Sequence, residues 1–205
     1  ARHVVVHAGN VDMDRLTQDL LSLAEKGDLF SPKYDKIKTK LLMKREDKVK
    51  RHLDSLRRSI EDLLPALEKG NVGVAFENLP SWESIPTEAE MEALLKEFAS
   101  PRIGYWHDIG HGQIRQNLGF ISVRRWLDKL APRLAGFHIH DVSAPGRDHL
   151  MPPHGEIDFA DFKPYLRSDM ALVIEPAPRT PESEVREGTR LIREAWGLTP
   201  ATNGG

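Results

Sequence analysis

Five short runs of β-branched and apolar residues, each ending in an acid or a histidine, constrain this chain more than any other feature. They lie at Val4–His7, Val72–Glu77, Ile103–Asp108, Leu134–Asp141 and Ala171–Glu175. Between them, Leu, Ile and Ala recur three and four residues apart over 13–27, 33–69, 87–99, 113–131, 159–166 and 181–195, the period of an amphipathic helix. Strands alternating with helices predict an α/β fold of parallel βα units. In such folds, functional groups gather where the carboxyl ends of the strands open onto a shared crevice. His7, Glu77, Asp108, His111, His138 and Glu175 all fall at or just beyond those ends.

The pleat of a strand adds a second constraint, because side chains two apart share a face. If Glu77 points inward, so do Ala75 and Gly73; if Asp108 does, Trp106 and Gly104 follow. Mostly small residues then lie beneath the candidate ligands, a set that a tight barrel interior can accommodate. The same parity puts His138 and His140 on one face and turns His107 toward the helices, where it reads as a structural histidine. Any one acid at a strand end is more often a helix N-cap or a surface group; the ordered set is what points to chemistry.

Glu77, Asp108, His138 and Glu175 form a mixed oxygen and nitrogen donor set suited to Mn²⁺, Mg²⁺, Co²⁺ or Zn²⁺. The chain contains no cysteine, which excludes disulfides, thiolate metal sites and a cysteine nucleophile. An ion so held polarises a carbonyl and its adjacent hydroxyl. Glu77 and Glu175 then double as ligand and base for proton transfer through an enediolate.

With 205 residues, 40% of them hydrophobic, the chain is expected to form one domain over 1–198, followed by a disordered tail over 199–205. A net charge of −2 gives no sign of a nucleic-acid or membrane partner. No apolar run approaches the length of a membrane span, and the opening residues lack the pattern of a signal peptide; the expectation is a cytoplasmic protein. The charged segment 33–69 carries a Leu and Ile stripe and reads as a solvated helix face. The connection containing it is about twice what one crossover helix needs, which suggests a helical hairpin or lid beside the site.

The stretch GRDHLMPPHGEIDF over 146–159 reads either as a polar loop with Asp158 capping the next helix or as a functional loop. In the second reading His149 contacts a second metal or the substrate, and Arg147 meets an anion or hydroxyl. Asp148, His154 and Glu156 lie in the same loop. His3 and His52 read as surface residues. Trp82 either walls the pocket or packs under its loop.

With HAGN, FENLP, DIGH, HIHD and DHLMPPHGEIDF in that order, the chain resembles the xylose isomerase-like barrel superfamily. The resemblance is to its sugar phosphate isomerase/epimerase group, which shares its fold with endonuclease IV. It spans 4–178 and implies a (β/α)₈ TIM-barrel fold with one or more divalent ions at the carboxyl-end face. Only the last five βα units are evident, so the rest of the barrel is absent or supplied by another chain, and a homo-oligomer is one expectation. The resemblance matches Glu77, Asp108, His138 and Glu175 to the shared metal ligands. His7, His111, His140, Arg147 and His149 are the expected substrate contacts. His7, His111 and His149 also match or fall at further zinc-ligand positions of the nuclease. His154 stands where the family usually has glycine.

The function expected from these residues is metal-dependent isomerisation or epimerisation of a small sugar, keto-sugar or polyol-like substrate. The alternatives are an endonuclease IV-like phosphodiesterase acting on abasic DNA and a non-catalytic truncated barrel.

Overall fold

The computed structural model describes residues 3–198, so the tail expected to be disordered lies outside the described residues. Along the chain follow β1 (His3–Val6), α1 (Leu16–Glu25), α2 (Pro32–Gly70), β2 (Gly73–Glu77), α3 (Glu88–Glu97), β3 (Ile103–Asp108), α4 (Ile109–Asn117) and α5 (Val123–Leu130). Then come β4 (Leu134–Ile139), β5 (Asp141–Ser143), β6 (Arg147–Leu150), β7 (Ala171–Ile174) and α6 (Glu182–Trp196). Short 3-10 turns fill Ala131–Arg133 and Phe159–Tyr165, the second capped by the Asp158 side chain as the sequence suggests.

Strands β1-β2-β3-β4-β7 form one five-stranded sheet in chain order, and every neighbouring pair is parallel. Helices cover its outer face, giving a curled half of a TIM barrel. The register puts Val5, Ala75 and Gly104 side by side, and after a bulge aligns Trp106 with Gly136 and Asp108 with His138. The outward set, including Val74, Phe76, Ile103, Tyr105, Phe137 and Ile139, packs against α2, α3, α5 and α6 in the main core. The inward set is small for a steric reason. A Cβ on Gly136 would stand 2.5 Å from the Trp106 ring and 2.5 Å from the Ala171 carbonyl.

The segment 33–69 is one uninterrupted helix rather than a hairpin. Ser31 starts α2, its hydroxyl accepting from the Tyr34 N–H at 3.2 Å, and Asn71 ends it in the left-handed region at φ 53°. Tyr34, Leu41, Arg45, Val49, Leu56 and Ile60 make its buried stripe. At 39 residues it is about 58 Å long by the 1.5 Å helical rise, several times the length of a strand. Because α2 runs into β2 at its carboxyl end, its amino-terminal part projects past the carboxyl ends of the strands. There α1 packs on it, and Leu16, Leu20, Leu23, Tyr34 and Leu41 join Ile114, Leu118 and Val142 in a second, smaller core. The expected hairpin beside the site is therefore built from α1 and the overhanging part of α2.

The helix expected over 113–131 is two helices. Gly119 at φ 66° stops the first, and Ser122 precedes the second. The loop after β4 also holds an antiparallel ribbon, β5 with β6, absent from the sequence reading.

Candidate functional site

Parallel pairing in register delivers the ends of adjacent strands to one place, and the side chains that arrive there are charged. Glu77, Asp108, His138 and Glu175 each offer one ligand atom, and these atoms lie within 4.8 Å of one another. His138 Nδ1 is 2.9 Å from Glu77 Oε1, 3.4 Å from Glu175 Oε2 and 4.0 Å from Asp108 Oδ2. Three carboxylates and an imidazole that converge this closely fit a single divalent ion. Burial sharpens the match, since Glu77 and Asp108 are almost wholly enclosed, and buried like charges need a cation or protonated neighbours between them.

Further histidines ring this set. His7 Nε2 lies 2.9 Å from Glu77 Oε2, so both Glu77 oxygens have imidazole neighbours. His111 Nδ1 is 3.5 Å from Asp108 Oδ2 and 3.7 Å from Glu77 Oε1. Asp108 serves two roles at once: Oδ1 accepts from the His111 N–H at 2.7 Å, capping α4, while Oδ2 faces the cluster. Burial by itself raises the Asp108 pKa, but His111, His140 and the capping N–H outweigh it and hold the carboxyl at about 2. Burial likewise pulls His138 down, and Glu77 with Glu175 and Asp108 overcomes it, leaving His138 raised. In His111, burial prevails and lowers the pKa.

His111, His140 and His149 form a second close group, with one ring nitrogen each within 4.8 Å of the others. His140 and His149 stack at 4.1 Å, and His149 holds a left-handed backbone at φ 53°. Expected as a substrate contact, His140 is instead fully buried with both nitrogens engaged. Its Nδ1 accepts from the His149 N–H at 2.9 Å, which places its proton on Nε2, 3.0 Å from Asp108 Oδ1. His149 Nδ1 donates to the Glu175 carbonyl at 3.1 Å, so this ring is tied to the residue that follows β7.

Arg147, also an expected substrate contact, is exposed at the start of β6. His154 is exposed and sits 3.7 Å from Glu184 on α6, away from the cluster. His107 faces the helices as parity requires; burial drives its pKa down to about 3, and it packs against Phe137 and Phe162. Trp82 packs under its loop, stacked on Phe120 at 4.5 Å.

Two site residues were not singled out from sequence. Asn78 follows Glu77 and clamps the Asp108 backbone from both sides. Asp141 accepts from Val142, Gly155 and Ile157 N–H groups and so fixes the 152–157 turn. For Asn78 the signal was its place inside FENLP, beside a candidate ligand; for Asp141 it was the HIHD ending. A cavity of about 340 Å³ lies between the segments that follow β1 and β2, lined by Asn10, Met13, Arg15, Gln18, Leu21 and Ser81 among others, and none of the four clustered side chains lines it.

Comparison with known proteins places this geometry in a group. Residues 2–195 match a family model described as xylose isomerase-like TIM barrel. A D-tagatose 3-epimerase-like protein superposes with a TM-score of 0.66 at 17% identity, covering 96% of this chain and 62% of its own. IolI, a protein solved with a zinc atom, gives 0.56 at 14% identity, covering 96% of this chain and 88% of its own. A protein from Methanocaldococcus jannaschii, MJ1614, is 28% identical over 120 residues, 58% of this chain and 45% of that protein. The chain thus spans less than two thirds of the length of two of these three relatives.

Proposed function

This chain belongs to the xylose isomerase-like TIM barrel family, and from that premise we propose that it is a divalent-metal-dependent isomerase or epimerase of a sugar, keto-sugar or polyol-like molecule. The observation that carries the reading is the four-donor cluster with one glutamate at the end of β2 and another just after β7. The resemblance in fold to a D-tagatose 3-epimerase-like protein and to a D-psicose 3-epimerase solved with D-fructose supports the substrate class.

Glu77, Asp108, His138 and Glu175 would hold a divalent ion, which when bound would supply Lewis acidity to a carbonyl and its neighbouring hydroxyl. One glutamate takes the proton from the carbon bearing that hydroxyl. The C–H electron pair forms the enediolate C=C bond, and the carbonyl pair moves onto oxygen. Return of a proton to the opposite face of the same carbon, with the carbonyl re-formed, gives the epimer; return to the adjacent carbon, with the hydroxyl proton passing to the former carbonyl oxygen, gives the isomer. Glu175, at 43% side-chain exposure, is the accessible partner, while Glu77, at 2%, is enclosed by His7 and His138. His7, His111 and His149 line the approach as substrate contacts. His140 acts through Asp108, and Arg147 keeps a peripheral role.

The test is elemental analysis of the purified protein together with exchange of solvent deuterium into a panel of ketoses and aldoses. We expect about one Mn, Co, Mg or Zn per chain, lost in Glu175→Ala, and label in at least one sugar. Metal binding without exchange in any sugar favours a binding module, and no metal uptake at all rejects the centre. The imidazole group His111, His140 and His149 is the one observation favouring phosphodiester hydrolysis. Against it, His140 has no nitrogen free to bind an ion, and incision of an abasic duplex above a metal-stripped control is the result that would reverse this ranking.

A further inference from the structure

One asparagine ties the site together without belonging to the donor set. Asn78 is 2% exposed and directly follows Glu77. Its Nδ2 donates to the Asp108 carbonyl at 2.9 Å, and its Oδ1 accepts from the Asp108 N–H at 2.8 Å. The amide thereby bridges the carboxyl ends of β2 and β3 with a pair of bonds like those of a sheet. The Tyr105 hydroxyl also donates to Oδ1, at 3.0 Å, while the His107 Nδ1–H reaches the Tyr105 oxygen at 2.7 Å. With two donors aimed at one end and a carbonyl at the other, the amide has a single orientation that satisfies every partner.

The backbone of the same residue fixes a second group. The Asn78 carbonyl lies 3.0 Å from His111 Nδ1. A carbonyl only accepts, so His111 carries its proton on Nδ1 and keeps its lone pair on Nε2. Asn78 therefore controls where the Asp108 backbone sits and which nitrogen of His111 is basic, and covalent continuity links it to Glu77.

We propose that Asn78 is a positioning residue for the reaction at this centre, acting through Asp108 and His111 by clamping the end of β3 and selecting the Nδ1–H tautomer of His111. The proposal rests on the isomerase reading for its catalytic consequence but not for its structural one. Hydrogen-bond partners behind metal ligands typically change metal affinity or activity about 10- to 100-fold when removed.

Asn78→Asp keeps the shape of the side chain but loses the donor and sets a carboxylate oxygen against the Asp108 carbonyl. Asn78→Ala removes the whole clamp. Tyr105→Phe deletes the third partner of Oδ1, and with it the acceptor of the His107 Nδ1–H, but leaves both Asp108 bonds. Nitrogen-15 shifts of the histidine rings in metal-free protein report the tautomer, and competition with a chromophoric chelator reports Zn²⁺ affinity. In wild type we expect His111 as Nδ1–H. In both Asn78 variants we expect a mixed tautomer, Zn²⁺ affinity lower by at least tenfold, and a kcat that falls more than KM changes. Tyr105→Phe should stay within about threefold of wild type.

Wild-type His111 found as Nε2–H overturns the proposal, whether or not the Asn78 variants fold. So do folded Asn78 variants with unchanged tautomer and Zn²⁺ affinity. If the tautomer and affinity shift as expected while wild type exchanges no label into any sugar, the positioning role stands and the isomerase reading falls.

Discussion

At the residue scale, the inner face shows how tightly side-chain size is specified beneath a charged cluster. Gly136 has no room for a methyl group, since Trp106 and the Ala171 carbonyl already fill that space. Gly110 is tighter still: a Cβ there would meet the His140 ring at 1.9 Å. Overpacking of this kind typically costs about 1–3 kcal/mol, so Gly136→Ala should lower the midpoint of denaturant unfolding by that much, and Gly110→Ala should in addition displace His140 and weaken metal uptake. His138 offers a pH test. Its pKa is raised, so its proton competes with an ion from a higher pH than for an ordinary imidazole. Metal affinity should therefore begin to fall, on acidification, at a pH above the ordinary imidazole value of about 6.5, and a titration that stays flat down to that value contradicts the assignment. The strand-end acids and the small residues below them were legible from parity alone. The demotion of His140 was not, because its burial depends on the Gly110 contact and on the His149 N–H, both set by backbone that no periodicity reveals.

At the element scale, the β2–α3 connection is held by buried charge rather than by apolar contact. Arg45 of α2 forms a bidentate pair with Glu90 at 2.6 and 2.8 Å and donates to the Trp82 and Ser84 carbonyls. Arg115 of α4 pairs with Glu88 at 3.0 Å and donates to the Ser81 carbonyl. Removing one partner of such a pair strands the other, at a cost of about 3–5 kcal/mol. Arg45→Met and Arg115→Met should each destabilise the fold by that order in denaturant melts. Burial alone raises the Glu90 pKa, and Arg45 overcomes it, so the folded value lies below the unfolded one. Its stabilisation is therefore complete above about pH 5 and is lost as pH falls through the folded value. Glu90→Gln should flatten that part of the stability profile. The sequence placed a helix over 33–69 to within a residue, because its stripe and caps are local. It did not place the break near Gly119, since the Leu and Ile period continues across the left-handed turn.

At the scale of the whole molecule, five parallel strands curl without closing. Among the described residues, β1 and β7 each pair on one side only, and Val4, Leu172 and Val173 are 50%, 38% and 41% exposed. Open edges with apolar side chains invite association. These 205 residues by themselves should therefore run above monomer mass in sedimentation, and Leu172→Lys with Val4→Lys should bring the mass down. The fold class and the five strands of the parallel sheet could be read in advance, because each carries its own apolar run; the β5–β6 ribbon, made mostly of polar loop residues, could not. Among the described residues, no helix is long and apolar enough to cross a membrane.

The edge has a bearing on time as well as on shape. Glu77, Asp108 and His138 arrive on strands flanked by neighbours on both sides, while Glu175 follows the one ligand strand with a free side. The strand with fewest partners opens most often. Were an ion held there, its escape would be expected to wait on fraying of residues 171–175 rather than on breakage of any single ligand bond. Loading should slow amide exchange there more than in β2 or β3, and the dissociation rate should track the opening rate of that edge.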